Sequence, residues 1–350
     1  MTYGPVFIGL ASAALFGLAT PLSKLLLHAL SQFQLAGLLY LGAGLGMVPF
    51  VLAGRKRRGP RGAVNRTNAL RLLCSVVLGG GVAPVLLLLG LAAARASSVS
   101  LWLNLELAAT AVLGSLVFKD HLNGIGWVGV LGALAAGVLV TVGEGVAGIL
   151  PGLAVGGACL CWGLDNNLTA LIDGLTPQEV TFCKGIGAGA VNFLVGSLSA
   201  RAIPAVGPGL ESLALGAVSY GGSIALYIAS AQRLGAARGQ VLFATAPFIG
   251  ALVSILVLAE RPSWVTCAAA GILAASILTM RHSRHVHRHF HEPITHIHEH
   301  RHDDLHHAHV HPGMPADLTH THEHTHEALE HEHAHYPDLH HRHSHGKPAH

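Results

Sequence analysis

Apolar residues run along this chain in unbroken stretches of about twenty, separated by short clusters of Gly, Pro and charge, without period-two alternation inside them. A hydrocarbon layer about 30 Å thick needs roughly 20 residues of helix to cross it. Each run therefore predicts a membrane-spanning helix. Ten fall near residues 5–27, 33–54, 69–94, 97–118, 124–142, 148–171, 178–199, 210–232, 237–259 and 262–280. Continuous hydrophobicity favours helices, which satisfy their own backbone in lipid, over a barrel. The leader Met1-Thr2-Tyr3-Gly4 lacks Lys and Arg, and the first run is long for a signal-peptide core, so a retained span is expected. After Met280 the apolar pattern stops.

Composition removes the soluble alternatives. Of 350 residues, 51% are apolar and 11% charged, and the mean hydropathy is +0.51. A globular protein carries about 25% charge. Residues 281–350 hold 25 of the 27 His, 10 of the 18 acids and 6 of the 21 Lys/Arg, which leaves 8 acids and 15 bases for the first 280 residues. That is too little polar surface for a soluble enzyme, a secreted disulfide scaffold or a nucleic-acid-binding module. Cys74, Cys159, Cys161, Cys183 and Cys267 fall mostly within apolar runs and read as small core residues. Cys159 and Cys161, two apart on a helix, face different directions.

Charge sets the orientation. The loop after the second run carries Arg55, Lys56, Arg57, Arg58, Arg61, Arg66 and Arg71. With that loop in the cytoplasm, both termini of a ten-span protein lie inside, as the positive-inside rule prefers. Lys119, Arg233, Arg238, Arg281, Arg284 and Arg288 then also lie inside, and only Arg95, Arg201 and Arg261 outside.

The chain repeats itself. Phe16-Gly17-Leu18-Ala19-Thr20-Pro21-Leu22-Ser23-Lys24 lines up with Trp162-Gly163-Leu164-Asp165-Asn166-Asn167-Leu168-Thr169-Ala170; Gly42-Ala43-Gly44 with Gly187-Ala188-Gly189; and Asp120 with Glu260. The three matches keep one order at offsets of 146, 145 and 140 residues. An odd number of spans per repeat turns one half over relative to the other, the inverted-repeat design of secondary transporters. The expected fold is an all-α integral membrane protein: five helices in 1–142, five more in 147–280 as an inverted repeat, and a disordered His-rich tail in 281–350. Spacings such as Gly42…Gly46 and Gly185…Gly189 suit close helix packing.

Over residues 1–280 the chain resembles an EamA-type member of the drug/metabolite transporter superfamily. The likeness is carried by Phe16-Gly17 with Pro21 and Lys24, by Trp162-Gly163, by Pro247, and by Leu258-Ala259-Glu260-Arg261-Pro262 before a small-residue last helix. It implies transport by two five-helix repeats without naming a cargo. The stretch Leu101-Trp102-Leu103-Asn104-Leu105-Glu106 is similar to a bacterial subset with His-rich tails. The chain departs from the family pattern at Ala259, where Gly is usual, at Asp120, where Glu is usual, and at Glu106-Leu107, where Pro is frequent.

Charges inside spans are expensive, about 2.5–3.5 kcal/mol each on insertion scales. Four stand out: Lys24, Glu106, Asp165 and Lys184. Glu106 lies near the middle of run four. In a desolvated setting its neutral form is favoured, which makes it a candidate to load and release a proton, or to bind substrate; a neutral glutamate bonded between helices is the alternative. Asp165 and Lys184 sit at equal depth on the cytoplasmic side and are expected to pair, as a structural tie or a gate. Asn166 and Asn192 add polar groups to the pathway candidates, and Pro21 is a candidate helix break. Asn104 is expected to point away from Glu106 on its helix. Lys24 reads as a snorkelling residue near the outer end, and Tyr220 with Tyr227 reads as core packing.

The tail alternates His with other residues in three runs. They contain His296, His298, His300 and His302; His320, His322, His324 and His326; and His331, His333 and His335. Neutral imidazole suits Zn, Ni and Co, so these are the candidate metal ligands. His28 and His121 are the other histidines, both at span ends. The tail is open to three readings: a sensor or buffer on a divalent-metal transporter, a regulator of an organic-solute transporter, or a low-complexity extension with incidental affinity. No G-x-x-x-x-G-K-[ST] motif or nucleophile–base set is present. The expected function is secondary transport of a small solute, in the export direction, with no required cofactor. The alternatives are a divalent-metal transporter and a non-transporting metal-binding sensor. Expected partners are the bilayer of the inner membrane, a small-molecule substrate and divalent metal ions, with a homodimer as an open alternative and no nucleic acid.

Overall fold

The computed structural model describes residues 4–57, 65–118, 124–172, 175–234 and 242–281, and the tail segments 285–291, 294–300, 320–326 and 329–335. Among the described residues, seven helices are long and apolar enough to cross a membrane. They are α1 (Val6–Leu26), α2 (Gln32–Gly54), α3 (Arg66–Ala93), α4 (Ala96–Leu116), α5 (Gly124–Gly143), α6 (Val146–Thr169) and α7 (Pro177–Ala200). The stretches α8 (206–234), α9 (Ala246–Val257) and α10 (Trp264–Arg281) follow at the places of the eighth to tenth runs. Thr176 caps the start of α7 in a reciprocal capping box with Glu179.

The sequence predicts a break at Pro21 alone; among the described residues, four helices are interrupted. In α1, regular helix stops at Gly17 and resumes at Ala19. Pro21 lacks the N–H that would bond the Gly17 carbonyl four residues back. In α3, residues Val76–Val82 form a π-helical segment just ahead of Pro84, and in α8 Gly216–Gly222 do the same, an offset of 140 residues. In α4 the helix tightens at Leu103 and Asn104, where Asn104 N–H donates to Leu101 O (3.2 Å) and Leu107 N–H to Asn104 O (3.2 Å). Thr245 to Leu242 (3.1 Å) and Phe248 to Thr245 (3.2 Å) repeat this arrangement at the head of α9, an offset of 141. Bonds to the third residue back are the 3₁₀ pattern.

The two halves meet along α2 and α7. At their crossing a Cβ on Gly185 would strike the backbone of Gly44, and one on Gly189 would lie 2.6 Å from the Leu41 nitrogen. Only hydrogen at these positions lets the two backbones touch. A second close crossing joins α1 to α9, where a Cβ on Gly250 would sit 2.9 Å from the Gly17 carbonyl. The core under these contacts is made by residues such as Leu35, Leu39, Leu88, Val99, Trp102 and Val155, all buried.

The described residues of the tail form four strands. Strands β1 (His285–His291) and β4 (Leu329–His335) pair antiparallel, as do β2 (Ile294–His300) and β3 (His320–His326). The alternation of His with other residues has the two-residue period of a strand. The register sets His296 opposite His324, His298 opposite His322, and His300 opposite His320. It also sets His331, His333 and His335 opposite His289, His287 and His285. His326 faces Ile294 in the ladder, and His302 lies outside the described residues.

Candidate functional site

Two polar centres lie inside the helical part, and both involve α6. The first is the predicted pair. Lys184 on α7 donates to Asp165 on α6 and forms an ion pair with it; the Ser75 hydroxyl donates to the same carboxylate, and Thr169 donates to it at 3.1 Å. Asp165 is 3% exposed. Every contact a buried carboxylate needs is present, so the group is neutralised and anchored where it stands. One turn further toward the basic loop, Arg71 donates to the Leu171 carbonyl (2.6 Å) and Asn68 (2.9 Å).

The second centre is a narrow cleft between α4, α1 and α9, lined by Phe16, Leu103, Asn104, Glu106, Leu107, Phe243, Ala244 and Pro247. Its free space is on the scale of a water molecule or two. Asn166 reaches into this region from α6 and donates to Glu106 Oε1 (2.8 Å) and Thr110 Oγ1 (3.2 Å). Asn167 ties α6 to the same part of α4 through the Thr110 carbonyl (3.1 Å). Phe16 and Phe243 pack ring to ring at 5.1 Å across the cleft. Tyr220 stacks edge-on against Phe16 and tilted against Tyr40, and Tyr227 meets Phe243, so a row of rings runs from the cleft into the core.

Asn104 corrects the helical-wheel expectation. In a regular α-helix, residues two apart face different sides, yet Asn104 and Glu106 line one cleft. The 3₁₀-type turns at 103–107 rotate the chain between them, a device that apolar flanks hide from periodicity. Asn192, the other carboxamide expected in the pathway, lies elsewhere. Its Nδ2 donates to the Gly81 carbonyl (3.0 Å) and to Gly80 (3.4 Å), the latter four residues before Pro84, which has no N–H to give it. Tyr40 Oη (2.6 Å) and Trp162 Nε1 (2.9 Å) both donate to the Gly79 carbonyl. Trp162 of the Trp-Gly motif thus satisfies broken backbone. Pro21 marks the break in α1, one turn beyond Phe16. Lys24 is half-buried, and its ammonium donates to the carbonyls of Leu91, Ala92 (3.4 Å) and Ala94 (2.9 Å) at the end of α3. A cation there complements the carbonyl end of a helix.

The sequence reading passed over a third polar group, at the opposite end from Arg71. Arg95 pairs with Glu144 at 2.6 Å, and the Ser98 hydroxyl donates to the same carboxylate. Glu260 accepts from the backbone N–H groups of Ala96 (2.7 Å) and Ser97 (2.9 Å), capping the start of α4 from the far end of α9. Asp120, its sequence counterpart, lies outside the described residues. A lone Arg and two acids at span ends gave signals too weak to join before the fold brought them together. Within the helical part, no three His, Cys, Asp or Glu side chains among the described residues converge on a metal-sized site.

The comparisons agree with this architecture. A chain from Methanothermobacter thermautotrophicus (strain Delta H), described as an uncharacterized transporter, is 27% identical over 277 residues, covering 73% of this chain and 79% of its own. One solved crystal structure superposes with a TM-score of 0.57 at 18% identity, over 80% of this chain and 96% of its own, and shows the fold alone. The model of the EamA-like transporter family matches twice, at residues 4–142 and 151–281. Two repeats, several apolar spans and this double match make the chain a multi-pass membrane protein that belongs to the EamA-like transporter family.

Proposed function

We propose that the protein exports a small solute across the inner membrane by alternating access around the Glu106 cleft, with proton or solute exchange as the driving step. One observation carries the reading. The tightened turns of α4 and α9, at matching places in the two repeats, converge on a single narrow cleft that holds one carboxylate. Interrupted helices around a site between inverted repeats are how secondary transporters bind and release cargo. In this reading all ten helices span, the two halves face opposite ways, and the Lys/Arg-rich loop sets both termini in the cytoplasm. Glu106 carries the proton, positioned by Asn166. Asp165–Lys184 closes the cytoplasmic end, and Arg95–Glu144 with Glu260 closes the other. The cleft's single carboxylate, one carboxamide and apolar walls suit an organic solute better than a bare divalent cation. The tail serves as a regulator that binds Zn, Ni or Co, and the facing histidines of its ladders supply ligands from two strands at once.

The test is flux in liposomes containing purified protein under an imposed pH gradient, with cargo chosen by a growth screen of overexpressing and deletion strains. Glu106→Gln is expected to abolish proton-coupled flux; unchanged flux would remove Glu106 as the carrier. Deleting residues 281–350 is expected to leave transport of an organic cargo largely intact and to remove any response to added metal. A complete loss of flux in a correctly inserted deletion protein would reverse that assignment.

A further inference from the structure

We infer that Asn104 is a substrate-reading residue, and that the cargo presents a flat edge with a hydrogen-bond donor beside an acceptor, as a primary carboxamide does. The inference rests on the cleft being the transport site.

Asn104 is 3% exposed, yet neither its Oδ1 nor its Nδ2 has a hydrogen-bond partner among the described residues, and it lines the cleft. A buried carboxamide with both ends unpaired is costly, and native proteins retain few such groups without a use. Neighbours do not relieve it. Asn166 is committed to Glu106 and Thr110, and Asn167 to the Thr110 and Gly163 carbonyls. The group best matched to a carboxamide edge is another donor–acceptor edge, which forms two parallel bonds with it; Asn reads the adenine edge in the same way. A cation alone would leave the Nδ2 donor idle, and an alkyl group would leave both atoms idle. The rest of the lining suits a flat body. Phe16 and Phe243 present rings, and Leu103, Leu107 and Pro247 present apolar walls. The cleft as it stands is smaller than such a body, so admission requires the Phe16–Phe243 contact to part.

The test uses full-length protein in detergent and equilibrium dialysis of radiolabelled benzamide against N,N-dimethylbenzamide, which keeps the ring and the acceptor but lacks the donor. Saturable benzamide binding is expected, with the dimethyl compound weaker by about tenfold or more. Asn104→Leu, close to isosteric, should bring benzamide down to the dimethyl level while the melting temperature stays the same or rises, since an unpaired polar group is removed. Absence of saturable benzamide binding, or equal binding of the two amides, would overturn the proposal. So would a lower melting temperature in Asn104→Leu with the discrimination retained, which would mean that ordered water holds the carboxamide in a structural network. The two readings fail separately: Asn104-dependent binding without Glu106-dependent flux removes the transporter reading alone, and Glu106-dependent flux without amide discrimination removes this one alone.

Discussion

Two adjacent residues of α6 serve polar centres of opposite character. Asp165 turns toward α3 and α7 and is fully engaged by Lys184, Ser75 and Thr169. Asn166 turns toward α4, where Glu106 shares a cleft with a carboxamide that has no hydrogen-bond partner among the described residues. A saturated buried network fixes a conformation, whereas an unsaturated one keeps bonding capacity in reserve. The contrast separates what holds the protein together from what engages a visitor. It also teaches that charge inside a span is by itself a poor guide to function.

The contrast breaks most visibly at the saturated centre. Lys184→Met leaves Asp165 buried without its cation and should cost about 3–5 kcal/mol, read as a drop in unfolding midpoint in detergent; adding Asp165→Asn should restore most of it. A midpoint unmoved by Lys184→Met would mean that the ion pair anchors nothing. Next comes the seam between the halves. Gly185→Val forces the Gly44 backbone away and should cost roughly 1–3 kcal/mol, with a matching loss of inserted protein. Glu106→Gln sharpens the comparison from the other side. Its stability should stay within about 1 kcal/mol of the parent, because an amide keeps the bond with Asn166, while proton-coupled flux disappears. The smallest effect is expected at Ala259, whose φ of 52° is left-handed. Ala259→Gly should stabilise by about 1 kcal/mol, seen as a small rise in melting temperature.

That last position shows how much the sequence disclosed. The family pattern has Gly where this chain has Ala259, and the turn after α9 explains the preference: the backbone there takes a conformation that costs any residue with a Cβ. The seven long helices were legible because length and apolarity suffice to specify a span. The Asp165–Lys184 pair was legible because depth follows from counting residues. Of the interruptions, only the one at Pro21 was. In helices apolar on every side, neither a π-segment nor a tightened turn alters a hydropathy profile, and without them the orientation of Asn104 cannot be derived. The bonding of Asn192 was hidden for a related reason. A carboxamide deep in a span signals a function, but here it repairs backbone opened by a proline more than a hundred residues earlier. The strands described in the tail follow the two-residue period of its His alternation, a pattern that composition alone does not show.

That repair has a consequence for how the chain is made. The Gly80 and Gly81 carbonyls of α3 find their donor in Asn192, a side chain translated long after them. A ribosome that has finished the first repeat has not yet supplied the carboxamide from which these two oxygens accept. That link between the repeats closes only when the seventh helix is in place.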